Sequence, residues 1–252
     1  MRILWYNRPP NPKEQKMELV TEIINGFTIR IPVGLEETMD TPVRDSYQSF
    51  LKESTRDVRR HLTCLTTLLP RALTDMGPQV RVHHAFGGLG LSAQIIDQIL
   101  PDVRHSFWER DPTCVKYLES QYNDVHRVSD SMELLMSPID PDIEVLLLDM
   151  SVATIKTPGI KEVWASISRW MTPDKVIWFT DTACHRIHLN YKTYEKDFGF
   201  PVDKTAESYI DAYANWLKTK GMTITMAMRE AGECYCIART SDYPKFLAIP
   251  YV

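Results

Sequence analysis

From residue 80 onward the apolar positions fall into short strand-like runs that alternate with segments whose apolar residues recur at spacings of three and four. Strands are predicted over 80–86, 104–109, 125–129, 143–149 and 175–181, and helices over 91–100, 111–121, 158–170 and 205–219. That alternation predicts an α/β fold, a doubly wound and mostly parallel sheet, because each parallel return needs a crossover and the crossover helices cover both faces. The run Ile143-Glu-Val-Leu-Leu-Leu-Asp149 is nearly continuous in apolar residues, the pattern of a central strand buried on two sides. After the last helix Gly221 breaks the periodicity, and two closely spaced runs, 222–230 and 234–241, predict a closing hairpin around Ala231-Gly232-Glu233.

The first eighty residues follow another pattern. Two β-rich runs, 16–24 and 27–32, flank Asn25-Gly26, a pair suited to the positive φ angles of a type I′ turn. Residues 43–69 read as helix, with Tyr47, Phe50, Leu51, Val58, Leu62, Leu65, Leu68 and Leu69 as its apolar positions. Arg56, Arg59, Arg60 and His61 interrupt it, as a solvated face or as a phosphate-contacting patch, the former being the simpler reading. The expected organisation is a small β/α appendage over 1–78 and a main domain over 79–252. The stretch 184–204 is polar and bears Tyr191, Tyr194, Phe198 and Phe200. It reads as a long loop leaving the carboxyl edge of the sheet, where lids and binding loops sit in open α/β folds.

The most informative segment joins the first two predicted strands of the main domain. Val80-Arg-Val-His-His-Ala-Phe-Gly-Gly-Leu-Gly-Leu-Ser-Ala93 reads as a strand running into a glycine-rich turn that opens a helix. Glycine lets the backbone turn sharply and approach a ligand closely, and the helix start offers free N–H groups. The next strand ends on an acid, Glu109, placed to accept hydrogen bonds from ribose hydroxyls. Together these residues point to a nucleoside cofactor. Gly88-Leu-Gly-Leu-Ser-Ala93 also satisfies the dinucleotide pattern with alanine in the third place, which keeps a nicotinamide-dependent oxidoreductase open.

Over roughly residues 79–241 the order of these landmarks resembles the class I S-adenosylmethionine-dependent methyltransferases. The matching positions are 85–90 for the glycine motif, Glu109 for the ribose acid, Asp130 after the third strand, and Asp149-Met150-Ser151 ending the fourth. The resemblance implies a seven-stranded sheet closed by an antiparallel hairpin, which the two final runs match and a nicotinamide dehydrogenase would more often replace with further strand-helix units. It implies S-adenosyl-L-methionine as cofactor, held by Ala85, Phe86, Gly87, Gly88, Gly90, Glu109, Arg110, Asp130, Ser131 and Asp149. Where the family usually has an acid at the start of the motif, this chain has His84-Ala85.

For the chemistry, Asp149 is the leading candidate to orient or deprotonate an acceptor, with Ser151 and Asp181 behind it on the same sheet edge. Each has a plainer alternative, a strand-end side chain capping its own turn. Asp149-Met-Ser-Val152 matches neither the Asp/Asn-Pro-Pro-aromatic signature of amino methyltransferases nor the Pro-Cys of the DNA cytosine enzymes, and no lysine ends the fifth strand as the RNA ribose-methylating set requires. Cys184 next to His185 occupies a place where RNA pyrimidine enzymes carry a nucleophile, but Ala183 breaks their Thr-Cys pair, and a plain loop thiol is the simpler reading. His185 and His188 lack further ligands at zinc spacing, so no metal is expected. Of His83 and His84, strand alternation sends one into the core and the other toward a cleft. Met222, Met226 and Met228 read as core filling.

Composition changes this picture little. A formal charge of −4 gives no global basic field, so a nucleic acid substrate, favoured by the appendage and the aromatic loop, would need a local patch. A partner protein, or a methyltransferase-like scaffold without catalysis, stays an alternative. No run reaches the length of a membrane span and the first residues lack a signal-peptide core, so a cytoplasmic protein is expected. Five cysteines without C-x-x-C pairs are expected to be reduced.

Overall fold

The computed structural model describes residues 18–33, 54–77, 79–100, 102–151, 159–181, 187–230 and 233–242. Two strands, β1 (Glu18–Ile24) and β2 (Phe27–Val33), pair antiparallel around Asn25-Gly26, both with positive φ. Helix α1 (Ser54–Leu73) follows, running past Pro70 and beyond the predicted end. Then come β3 (Arg81–His84), α2 (Leu91–Ile99), β4 (Arg104–Glu109), α3 (Pro112–Glu119), β5 (Val125–Arg127), α4 (Ser131–Met136) and β6 (Val145–Ser151). The chain continues with α5 (Ile160–Trp170), β7 (Val176–Asp181), α6 (Ile187–Phe198), α7 (Ala206–Lys218), β8 (Met222–Glu230) and β9 (Glu233–Thr240).

The seven-stranded sheet has the order β5-β4-β3-β6-β7-β9-β8. The first five strands are parallel, and β9 enters antiparallel between β7 and β8. The expected architecture is therefore present, including its closing hairpin. The direction of β3 and β6 outward to both sides puts a switch in strand order beside β3, where open α/β sheets leave a crevice at the carboxyl ends.

Alternation along the central strands divides the core into two layers. Leu146, Leu148, Ile177 and Phe179 pack toward α5, α6 and α7, with Trp164, Tyr209 and Tyr213 among the fully buried rings. Val145, Leu147, Val176 and Trp178 pack the other way, against α1, α2 and the β1–β2 hairpin. Ile24, Ile29 and Ile31 of the hairpin belong to this same cluster. Gln94 and Gln98, one turn apart on α2, clamp the hairpin: each side-chain oxygen accepts from, and each amide donates to, the backbone of Arg30 and Thr28 respectively, at 2.8–2.9 Å. The hairpin thereby braces the helix that starts at the glycine turn. Arg239 is buried and donates to Ala72 O, which supplies a partner at the carboxyl end of α1.

Two elements depart from the sequence expectation. The segment predicted as a long loop contains α6, whose Tyr194 and Phe198 are buried in the first layer, so they are core residues and not lid aromatics. Gly199, φ 75°, ends that helix with its N–H on Glu195 O. The short helix α4 was also not expected. The four described cysteines, Cys64, Cys114, Cys234 and Cys236, are buried and form no disulfide with one another, and Met222 and Met226 fill the core as expected. Among the described residues no helix is long and apolar enough to cross a membrane.

Candidate functional site

The backbone at the end of β3 sets the site. Ala85 N–H continues the ladder to Leu147 O, and Gly87 N–H then crosses to Trp108 O at 2.8 Å. Gly88 and Gly90 have φ of 49° and 63°, the left-handed region that favours glycine. A Cβ on Gly87 would meet Leu118 Cδ1 at 2.9 Å and Phe107 Cδ1 at 3.3 Å, and one on Gly90 would meet Leu118 Cδ2 at 2.9 Å. The turn is thus pressed against β4 and α3, and side chains are excluded there by packing as well as by φ. Gly90 stands at the N-cap of α2 with no side chain capping the helix, whose first turn also lacks an acid. Its leading N–H groups face the crevice end of the sheet with their partial positive charge.

Glu109 closes the turn from the next strand. One carboxylate oxygen accepts from Gly88 N–H at 2.6 Å, and the other accepts from Arg110 and Asp111 N–H, both at 2.7 Å. The acid is therefore tied to the glycine turn across the β3–β4 edge, a contact that pattern alone does not reveal. Asp111, which sequence reasoning passed over, is fully buried and caps α3 by accepting from Thr113 and Cys114 N–H; the signal was present in Asp111-Pro112, a cap residue before proline at the first helical position. Burial, with Glu109 and Asp111 adding their negative charge, pushes the Cys114 thiol far above its ordinary range and keeps it unreactive.

The remaining predicted positions lie at the ends of strands and the starts of helices along the sheet. Ala85 is fully buried and Phe86 partly buried at the end of β3. Arg110 is exposed. Asp130 caps α4 by accepting from Met132 N–H at 2.8 Å, with Ser131 buried behind it. Asp149 and Ser151 lie at the end of β6 and Asp181 at the end of β7, the adjacent strand, with Ser151 paired to Thr180. The register between β6 and β7 shifts between Leu148 and Ser151, so Asp149 falls within a bulge. The side chains of these three lie outside the described residues, as do Cys184 and His185; His188 is an exposed residue of α6. Among the described residues no group of metal-ligating side chains gathers.

His83 and His84 depart from expectation, since both are buried. His83 contacts Ser106 Oγ at 2.9 Å and meets the Trp108 ring edge-on. Burial lowers its pKa from 6.5 to about 4, against a partial opposing pull from Asp124. His84 is likewise held well below the usual range, first by burial and then by His105 and His83. The unfolded chain thus binds a proton near pH 6.5 that the folded chain refuses, so the stability that neutral His83 contributes falls as pH drops from about 6.5 toward 4 and levels off below. His83 alone accounts for about 3 kcal/mol across that window, and His84 acts in the same direction. Thermal melts over this range should show the loss, with a shallower slope for His83→Gln; an unchanged slope would remove His83 as its source.

A cleft of about 610 Å³ opens at the opposite edge of the sheet, between Arg81, Asp97, Arg104, His105, Tyr122 and Asp124. None of the predicted site residues lines it.

No family model matches this chain, and no curated protein matches it in sequence. Solved structures do. The structure of Trm1 from Pyrococcus horikoshii in complex with S-adenosyl-L-methionine superposes with a TM-score of 0.55 at 10% identity, over 87% of this chain and 61% of that one. The mitomycin 7-O-methyltransferase MmcR gives 0.49 at 13% identity, over 82% and 60%. The chain spans about 60% of the length of each of these two. The fold is that of the class I methyltransferases.

Proposed function

We propose that this chain, with its class I methyltransferase fold, binds S-adenosylmethionine at the glycine turn and transfers its methyl group. The observation that supports this most is the contact between Glu109 and Gly88 N–H. It fixes a carboxylate beside a turn from which side chains are excluded, in front of an uncapped helix start. The residues fit a nucleoside cofactor: Gly87, Gly88 and Gly90 give close backbone approach, Glu109 offers acceptor lone pairs to ribose hydroxyls, and Asp130 and Ser131, at the start of α4, complete the set that the resemblance implies. When bound, the cofactor supplies an electrophilic methyl carbon. The chain's part is to hold it and to orient an acceptor from the ends of β6 and β7, with Asp149 accepting its hydrogen bond or proton and Ser151 and Asp181 beside it. The closing hairpin β8–β9 stands where a dinucleotide dehydrogenase would more often continue in strand-helix units, which favours the sulfonium cofactor over NAD.

Tyr194 and Phe198 are buried in the core and present no aromatic surface to an acceptor. The test is incubation with S-adenosylmethionine labelled in the methyl group and separate RNA, DNA, protein and small-molecule fractions, with label in one fraction as the expected result. One observation favours the rival reading of a binding module without catalysis: His84, near the position where the family has an acid, is buried and stacked on Phe107. Tight cofactor binding with no label in any fraction would establish that rival.

A further inference from the structure

Under the glycine turn a line of polar side chains crosses one face of the sheet. Ser92 Oγ lies 3.2 Å from His84 Nδ1, His84 Nε2 lies 2.9 Å from His105 Nδ1, and His105 Nε2 lies 3.0 Å from Asp97 Oδ1. Tyr122 ends it by donating to Asp97 Oδ2 at 3.2 Å. Ser92 and His84 are buried, and the His105 side chain is 3% exposed, while that of Asp97 is 48% exposed and lines the cleft at the opposite edge. One end of the line is in the first turn of α2, at the candidate cofactor site, and the other meets solvent.

The donor order along this line is fixed by chemistry. An ionised carboxylate only accepts, so His105 Nε2 carries a hydrogen. With both rings neutral, His105 Nδ1 accepts, His84 Nε2 donates, His84 Nδ1 accepts, and Ser92 donates its hydroxyl hydrogen. One added proton on His105 reverses the inner bonds. Both His105 nitrogens then donate, His84 Nε2 must accept, its hydrogen sits on Nδ1, and Ser92 Oγ accepts while its own hydrogen turns away. The heavy atoms need not move. One proton is taken up from water, and only N–H and O–H bonds change.

We propose that Ser92, His84, His105 and Asp97 form a proton-responsive positioning relay, which reports the charge of His105 to the start of α2 and so tunes the cofactor site. The proposal rests on the S-adenosylmethionine reading for its effect, though not for the relay itself. The groups facing His105 are His84 from β3, Asp97 from α2 and Tyr122 after α3, with Arg81, Arg104 and Asp124 around the same cleft; Arg81 is engaged by Asp140 and Asp142 at 3.3 Å each. His83 lies on the other face of β3. A charged His105 sets a cation behind the turn, which opposes the positive sulfonium of S-adenosylmethionine more than the neutral thioether of S-adenosylhomocysteine. The expected penalty is about three- to tenfold in affinity, as for a partly screened pair of like charges.

The test follows imidazole ¹⁵N signals of the full chain across a pH titration. In parallel, Kd is measured for both sulfur nucleosides. His84 should pass from the Nε2–H to the Nδ1–H tautomer at the midpoint of His105, and S-adenosylmethionine alone should weaken over the same range. His105→Gln should abolish both changes. Asp97→Asn, at a half-exposed position that leaves the core intact, should move the midpoint to lower pH by removing the counter-charge. A His84 tautomer that stays fixed while His105 titrates would overturn the relay. Coupled tautomers with flat affinity, or pH-dependent affinity retained in His105→Gln, would overturn its positioning role. Should neither nucleoside bind at any pH, the cofactor reading fails, and the tautomer titration still decides the relay.

Discussion

Asp149→Asn should lower methyl transfer by about 10²- to 10⁴-fold, the usual cost of a lost acid-base group, while most of the cofactor affinity remains. The expectation comes from position. Asp149 falls in the bulge that ends β6, on the edge that also holds Gly88 and Glu109, and one strand from Asp181. Bulges at strand ends re-aim side chains without disturbing the ladder behind them, and here that ladder is intact from Val145 to Leu148. Asparagine keeps the shape and can still donate and accept hydrogen bonds, but it cannot take a proton. Turnover and binding should therefore separate. They are measured by label transfer to whichever fraction accepts it and by calorimetry on the same variant. Equal transfer by wild type and variant would eliminate the role given to Asp149.

Gly90→Ala should destabilise the fold by about 2–5 kcal/mol and remove cofactor binding with it. Two costs add at this position. A φ of 63° is unfavourable for any L side chain by about 1–2 kcal/mol, and the new Cβ would stand 2.9 Å from Leu118 Cδ2, an overpacking typically worth about 1–3 kcal/mol. Leu118 is fully buried against Phe107 and Ala93, so it has little room to withdraw. Gly88→Ala is the control, since its φ is also positive at 49° but nothing lies within 4 Å of its Cβ direction. Urea melts should rank Gly90→Ala below Gly88→Ala, and a reversed order would show that packing on α3 is not what shapes the turn.

Much of the fold was legible because it is written in local patterns. The continuous apolar run that becomes β6, the glycines that stop helices and the two-residue turn of the first hairpin all act over a few neighbouring residues. Helix α6 was hidden by its polarity, although Ile187, Tyr191, Tyr194 and Phe198 recur at spacings of four, three and four, with Gly199 as the stop. Helix α4 is too short for periodicity to register; its signal was Asp130 followed by Glu133, the pattern of a capping box. At the candidate site, the turn could be read from its glycines and the following helix. What could not be read depends on register between strands. Pairing His83 with Ser106 and His84 with Phe107 is what sets His105 beside His84 and carries Glu109 to Gly88, and sequence does not give that offset.

The central claim is that the glycine turn and Glu109 bind a sulfur nucleoside, and calorimetry with S-adenosylmethionine, S-adenosylhomocysteine and NAD tests it most directly. The wild-type chain should bind both sulfur nucleosides at micromolar or tighter Kd and give no heat with NAD. Glu109→Ala should weaken binding about 10- to 100-fold, as expected from losing hydrogen bonds to a charged acceptor, with circular dichroism confirming that the sheet persists. Binding of NAD with no response to either sulfur nucleoside, or unchanged affinity in a folded Glu109→Ala variant, would contradict it.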